Sequence, residues 1–398
     1  MNRILGTIAA GALATAAILG PAAAGADGGD SGQDNAYKVN RLVSDLPGLD
    51  VQDMNLRNAW GVAFSPAASP FWIADNASGC STLYDGTGAK VALEVKIPLP
   101  DNSVPSTACQ PASMQTNPPP QTPAAPTGIV WNPTTSPTTG FLVPGTNIPA
   151  SFIFDTEDGT LSAWAGTIAD PTRAVIAVDN SGSGAVYKAL ATGVNAHGVF
   201  LFATNFNAGT IDVFAPNGST GFRPATNQEI DGDFTDPNLP PRFAPFGIQN
   251  INGDLFVTYA KQNAQKHDDV AGPGNGFVDV FDTDGHLLRR FASRGTLNSP
   301  WGVVRASFAF GQFSGDILIG NFGDGRINVF DSDGNFLAQL NRRNGKPLVI
   351  DGLWTLTLGG GKNSSSDTLY FTAGPNSETD GLFGTITPVK QRHMAAGN

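Results

Sequence analysis

Charge is scarce in this chain. Of 398 residues, 14% are Asp, Glu, Lys or Arg, and the balance is acidic, at −11. An excess of that sign repels nucleic acid and anionic lipid, which makes both poor partners. Histidine occurs four times and cysteine twice. The sequence has no His-x-x-x-His, no paired-Cys motif, no phosphate loop and no G-x-S-x-G in a strand–turn–helix context. Zincin, zinc-ribbon, P-loop and α/β-hydrolase chemistry therefore lack their usual residues. After residue 19 there is no long apolar run either, so the mature chain is expected to carry no transmembrane segment.

What the chain does have is turn formers and a repeat. It contains 48 Gly and 29 Pro, a composition suited to an all-β protein with many short connections. One phrase recurs as Gly209-Thr-Ile-Asp-Val-Phe, Gly276-Phe-Val-Asp-Val-Phe and Gly325-Arg-Ile-Asn-Val-Phe. Its alternation to an aromatic is strand chemistry, and a repeat of this kind signals a propeller or solenoid. Upstream of each phrase is a strand such as Leu201-Phe-Ala-Thr-Asn or Ile317-Leu-Ile-Gly-Asn. Before that comes a bulky residue followed by a small one. The six such pairs are Trp60-Gly61, Thr127-Gly128, Lys188-Ala189, Phe246-Gly247, Trp301-Gly302 and Trp354-Thr355. A fourth strand follows each phrase, as in His286-Leu-Leu-Arg-Arg-Phe. Four antiparallel strands in each of six units predict an all-β, six-bladed β-propeller. The sixth unit lacks a fourth strand, and Tyr37–Val43 is a spare one. This N-terminal strand is expected to close the last blade.

Residues 1–26 read as a secretory signal peptide, with a basic head, an Ala-rich apolar run to Leu19 and small residues near Ala24. Residues 27–36 read as a polar, disordered linker, 37–390 as a single propeller and 391–398 as a polar tail. Residues 98–126 interrupt the strand rhythm as a Pro-rich insertion loop. Cys80 falls in the loop between strands two and three of blade 1, and Cys109 falls in the insertion. Both connections emerge on one face, so geometry allows a disulfide, which export permits. The Asp-x-Asp-Gly turns at Asp282 and Asp331 read as hairpin chemistry, since the spacing to an EF-hand Glu fails.

The face that gathers the ends of second strands is the candidate functional surface, because a rigid scaffold presents its loops there. It is expected to carry Asp75, Asn76, Asp155, Glu157, Asn205, Tyr259 and Asn321, with the aromatics Trp60, Phe246, Trp301 and Trp354 close by. Carboxylates and amides suit a cation such as Ca2+, with Asp75, Asp155, Glu157, Asn205 and Asn321 as the ligand set. Aromatic faces beside amides suit sugars. His267 is placed in a long loop of this face, and His197 in a hairpin on the opposite one.

The phrases Asn58-Ala-Trp-Gly-Val-Ala-Phe-Ser-Pro, Asn298-Ser-Pro-Trp-Gly, Gly320-Asn-Phe-Gly-Asp-Gly-Arg-Ile-Asn and Ile350-Asp-Gly-Leu-Trp resemble those of an uncharacterised family of exported bacterial proteins. That family is similar to NHL-repeat propellers and is often found in bacteria with the PEP-CTERM sorting system. The resemblance implies the propeller and export, secreted or periplasmic, but no established activity. No catalytic set is legible. The expected function is a non-enzymatic binding or scaffold propeller of the cell exterior, with envelope polysaccharide or another exported protein as ligand. The alternative is a metal-assisted hydrolase or lyase holding a divalent cation at the channel mouth.

Overall fold

The computed structural model describes residues 35–49, 51–67, 69–110 and 122–389. The expected signal peptide, residues 27–34 of the linker, the middle of the Pro-rich insertion and the polar tail lie outside the described residues. Six sheets of antiparallel strands make six blades, and blades 1 to 5 run from an inner to an outer strand in chain order. Blade 1 is Ala59–Ala63, Phe71–Asp75, Cys80–Tyr84 and Lys90–Lys96; blade 2 is Pro126–Trp131, Phe152–Thr156, Thr160–Trp164 and Val175–Asp179. Blade 3 is Tyr187–Asn195, Gly198–Asn205, Thr210–Pro216 and Phe222–Pro224; blade 4 is Phe243–Ile251, Asp254–Lys261, Gly276–Phe281 and Leu287–Ser293. Blade 5 is Pro300–Arg305, Ile317–Asn321, Ile327–Phe330 and Phe336–Gln339. Blade 6 takes Leu353–Leu358, Leu369–Ala373 and Leu382–Pro388 from the C-terminal end, and Tyr37–Ser44 from the N-terminal end as its outer strand. The short segment Val51–Gln52 adds in parallel to that outer strand. No helix among the described residues is long and apolar enough to cross a membrane.

The burial pattern follows from blade packing. The second and third strands of blade 1 are buried at every residue, whereas its outer strand is mostly exposed or half-buried. A middle strand has a neighbouring blade on both of its faces, so it needs apolar or fully bonded residues throughout. Aromatics fill the seams: Trp72 stacks on Phe152 between blades 1 and 2 at 4.3 Å. Phe291 joins Phe256 to Phe330 between blades 4 and 5.

The bulky–small pair that opens each blade has a steric cause. Inner strands crowd around the axis, and the small residue lies against the backbone of the next blade. A Cβ on Gly247 would stand 2.2 Å from the Trp301 carbonyl oxygen, and one on Gly302 would stand 2.5 Å from that of Trp354. Thr355 breaks the glycine rule by bonding rather than yielding, since its hydroxyl donates to the Trp60 carbonyl at 2.7 Å. The channel is left with a cavity of about 80 Å³.

The hairpin turns behave as their residues require. Asp282 Oδ1 accepts from the amides of Asp284 and His286, and Asp331 Oδ1 from those of Asp333 and Asn335. Cys80 and Cys109 are joined, 29 positions apart in sequence and with Cα atoms 5.3 Å apart. The bridge fastens the insertion to blade 1. Closing a loop of that length restricts the unfolded chain by about 3–4 kcal/mol. Asn35, at the end of the expected linker, is tied down: it donates to the Gln339 carbonyl and accepts from the Asn341 amide.

Candidate functional site at the channel mouth

The inner-strand positions that open the blades converge on the axis. Trp60 and Trp354 stack with centroids 3.5 Å apart, and Phe322 covers the other side of Trp354 at 4.0 Å. Trp301 meets both tryptophans edge-on, and Phe246 lies 5.9 Å from Trp354. Trp60, Phe246, Trp301 and Trp354 are each at most 9% exposed. They therefore plug the channel, packed against one another. Blade 3 contributes a lysine to this aromatic ring. Lys188 is 2% exposed, with its ammonium 5.4 Å from the Trp60 ring centre and 5.8 Å from that of Phe206. Its carbonyl accepts the Trp301 indole N–H at 3.1 Å.

A polar network lies around the Lys188 ammonium. The ammonium pairs with Glu157 and stands 3.9 Å from Asp268 Oδ1. Glu157 accepts from Asn76 at 2.9 Å. Asn58 donates to Asn76 at 3.2 Å and to Glu378 at 2.8 Å. Asn58 Oδ1 takes the Trp354 indole N–H at 3.0 Å, which joins the network to the plug. His267 Nδ1 lies 2.8 Å from Asp268 Oδ1. The members come from the loops between second and third strands of blades 1, 2, 4 and 6, plus the loop entering blade 1. Two of them sit on left-handed backbone: Asn58 has φ 44°, and Asn376, Ser377 and Glu378 have φ 56°, 58° and 66°. Such conformations cost about 1–3 kcal/mol each and persist only where surroundings fix them. Here they deliver the Asn58 and Glu378 side chains to each other.

Carboxylates outnumber cations at the mouth. Burial pushes the Glu378 carboxyl above its ordinary range, and Glu157 and Asp269 add repulsion. Asp158 and Asp269 are also raised, chiefly by burial. Glu157, His267 and Asp268 bring potential metal-ligand atoms within 4.8 Å of one another.

The structure divides the residues expected from sequence. Trp60, Phe246, Trp301 and Trp354 gather as the plug, while Asn76 and Glu157 join the polar network. Of the five expected metal ligands, four make hydrogen bonds within their own blades, and Asp75 Oδ1 and Asp155 Oδ2 are left without a hydrogen-bond partner. Asp75 Oδ2 accepts the Thr82 amide at 2.9 Å, and Asp155 Oδ1 accepts from the Thr127 hydroxyl and the Gly128 amide. Asn205 caps the Val186 and Ala208 amides and donates to Asp212. Asn321 accepts the Asn298 amide and donates to the Thr296 carbonyl and Asp324. Tyr259 is buried in blade 4 beside Asp279. The network members missed from sequence are Asn58, Lys188, Asp268 and Glu378. The visible signal was Lys188 at a position otherwise held mostly by aromatics.

The burial of Asp155 has a testable consequence. Its carboxyl is pushed up to about 7, mainly by desolvation. A raised pKa means the folded state holds a proton that the unfolded chain releases near pH 4. The associated stability is full below pH 4 and declines as pH rises towards 7. D155N should remove up to about 1.4 kcal/mol per pH unit of that decline. Urea unfolding between pH 4 and 8 reads it; the native slope persisting in D155N would place the titration elsewhere.

No protein-family model matches the chain. Among curated sequences it is similar to two uncharacterised proteins of Acanthamoeba polyphaga mimivirus. L690 is 31% identical over 88% of this chain and 85% of its own length. R648 is 29% identical over 88% and 80%. These relatives are viral and lend no support to the expected bacterial, PEP-CTERM-associated family. Similar solved structures include virginiamycin B lyase from Staphylococcus aureus, 13% identical with a TM-score of 0.47, covering 89% of this chain and all of that one. A gluconolactonase from Xanthomonas campestris is 13% identical with a TM-score of 0.45, covering 84% and 88%. At these levels nothing of their chemistry passes to this chain.

Proposed function

Starting from a chain that belongs to the same family as mimivirus protein L690, we propose a non-enzymatic binding propeller whose channel mouth takes a cationic group of a partner protein. The observation that carries this reading is the carboxylate-rich network gathered around the buried Lys188 ammonium. The fold already seats one positive charge there, supplied by its own chain. Glu378, Asp158 and Asp269 remain as acids raised chiefly by burial and further by neighbouring carboxylates, Glu157 and Asp269 on Glu378, Glu157 on Asp158 and Asp268 on Asp269, and a second cation would relieve that repulsion. A sugar reading loses its main support, since the aromatic rings are buried in the plug. On the expectation that residues 1–26 are a secretory signal peptide, the partner would be another exported protein.

Titration calorimetry with an oligolysine peptide tests this. The double variant E378Q/D269N should weaken binding about tenfold, which is about 1.4 kcal/mol. D367N, which removes an exposed acid elsewhere, should leave it unchanged. Equal weakening by both variants would reduce the effect to diffuse surface charge and sink the proposal.

A second reading rests on the Glu157, His267 and Asp268 cluster, which could hold a divalent cation for hydrolase or lyase chemistry. The Lys188 ammonium against Glu157 opposes it, because a dication would have to displace a tethered monocation.

A further inference from the structure

A second surface has the opposite charge. Beside the outer strand of blade 6 lies a groove of about 700 Å³. Its floor is apolar, built from Val39, Leu46, Ile350 and Leu382, with Val349 and Val389 at its sides. Its rim carries Lys38, Arg41, Arg342 and Arg343, all exposed. None of the four is in an ion pair among the described residues. Arg342 donates to the Val349 carbonyl at 3.2 Å. The one acid in the lining, Asp351, accepts the Asn376 amide. Four uncompensated cations around one hydrophobic floor stand out on a chain of net charge −11.

We propose that this groove binds an amphipathic carboxylate, an alkyl chain lying on the floor with its carboxylate at the Arg41 and Arg343 guanidinium groups. The volume suits a small ligand, for which pockets of roughly 300–1,000 Å³ are usual. The guanidinium forks suit a carboxylate head. Other occupants match only half of the surface. Residues 27–34, which precede the groove in sequence, are acidic but contain no large apolar side chain. Those after Val389 begin with Lys390 and include Arg392, the same sign as the rim. An added peptide strand would meet the bulge between Arg41 and Val43, which interrupts the edge. Edge protection alone could explain Lys38 and Arg41, but Arg342 and Arg343 lie outside the strand.

The test is calorimetry on the full chain with decanoate below its micellar concentration, and with decanol and acetate as controls. Decanoate should bind at least about tenfold more tightly than decanol, acetate should not bind measurably, and added salt should weaken decanoate. The double variant R41Q/R343Q changes exposed side chains and should melt as the native chain does. It should lose at least about tenfold in decanoate affinity while its weak binding of decanol is retained. Equal affinity for decanoate and decanol, or an unchanged R41Q/R343Q, overturns the proposal. So does a self-associated chain that R41Q/R343Q renders monomeric and that ignores decanoate, because the groove is then an interface between copies. Capture of an acidic, Leu-rich peptide without decanoate binding overturns it equally.

Discussion

A chain lacking residues 35–44 should fail to fold as a cooperative unit. Those residues supply the outer strand of blade 6, whose seven paired positions run from Tyr37 opposite Pro388 to Ser44 opposite Leu382. Without it, Leu382–Pro388 becomes an edge, and the ring loses the strand that ties its two ends together. The losses are specific. Tyr37 is 2% exposed, stacks on Phe310 at 4.8 Å and donates to the Phe310 carbonyl. Val43 is fully buried in a cluster with Leu56, Phe71, Tyr84 and Phe383, which joins blade 6 to blade 1. Ser44 donates to the Gly381 carbonyl at 2.7 Å. Each buried side chain contributes about 1.5–3 kcal/mol, and each ladder hydrogen bond about 0.5–1.5 kcal/mol. Together they are comparable with the whole stability of an ordinary domain, about 5–15 kcal/mol. Calorimetry of the shortened chain should show no sharp transition, and a synthetic peptide spanning 35–46 should restore one. V43D, which leaves the backbone whole but buries a charge, should lower the melting temperature steeply. A shortened chain that melts within a few degrees of the full one would mean the ring does not depend on this closure.

That closure was legible because it rests on counting. The Gly-x-Ile-x-Val-Phe phrase marks third strands, and the sixth unit visibly runs out of chain before a fourth. The bulky–small pairs were legible for a similar reason. Crowding at the axis recurs in every blade and demands glycine again and again, at Gly61, Gly128, Gly247 and Gly302. The candidate site had no such redundancy. Asp75, Asp155, Asn205 and Asn321 end second strands in four blades, and their shared position made them look like a ring. That position serves each blade separately: Asn205 and Asn321 hold loop amides, Asp75 bonds its third strand and Asp155 its inner strand, which leaves Asp75 Oδ1 and Asp155 Oδ2 without a partner. The residues that reach the mouth lie a little further along loops of unequal length. Asn76 and Glu157 are one and two positions on, while Asp268 sits in an irregular loop. Glu378 depends on three consecutive left-handed residues, which no periodicity announces. Lys188 was visible as a departure from the aromatic pattern, but its meaning required seeing Glu157 arrive from blade 2.

K188M should destabilise the protein by about 3–5 kcal/mol and make it respond to Ca2+. The Lys188 side chain is 3% exposed and its partner Glu157 is 14% exposed, so the pair is screened little by water. Removing one member of a buried pair strands the other charge, which is where a cost of that size arises. The stranded site is also more acidic than a single glutamate. Lys188 lowers the pKa of both Glu378 and Asp269, working against the burial that raises them. Its loss should raise both further. Carboxyls with folded-state pKa above the unfolded value give stability that is present at low pH and declines as pH rises through the folded pKa. K188M should therefore lose stability with rising pH more steeply than the native protein, from about pH 4 upwards. With the ammonium gone, Glu157 and Asp268 can share an external cation. Ca2+ at a hundred times its dissociation constant would return about 2.7 kcal/mol. The native chain, whose own ammonium holds that place, should show a much smaller shift. Melting curves of both proteins with and without Ca2+, at pH 5 and 8, separate the readings. A Ca2+ response in the native chain as large as in K188M would favour a metal centre over a binding mouth. A K188M chain that melts like the native one and ignores Ca2+ would remove Lys188 from the charge balance altogether.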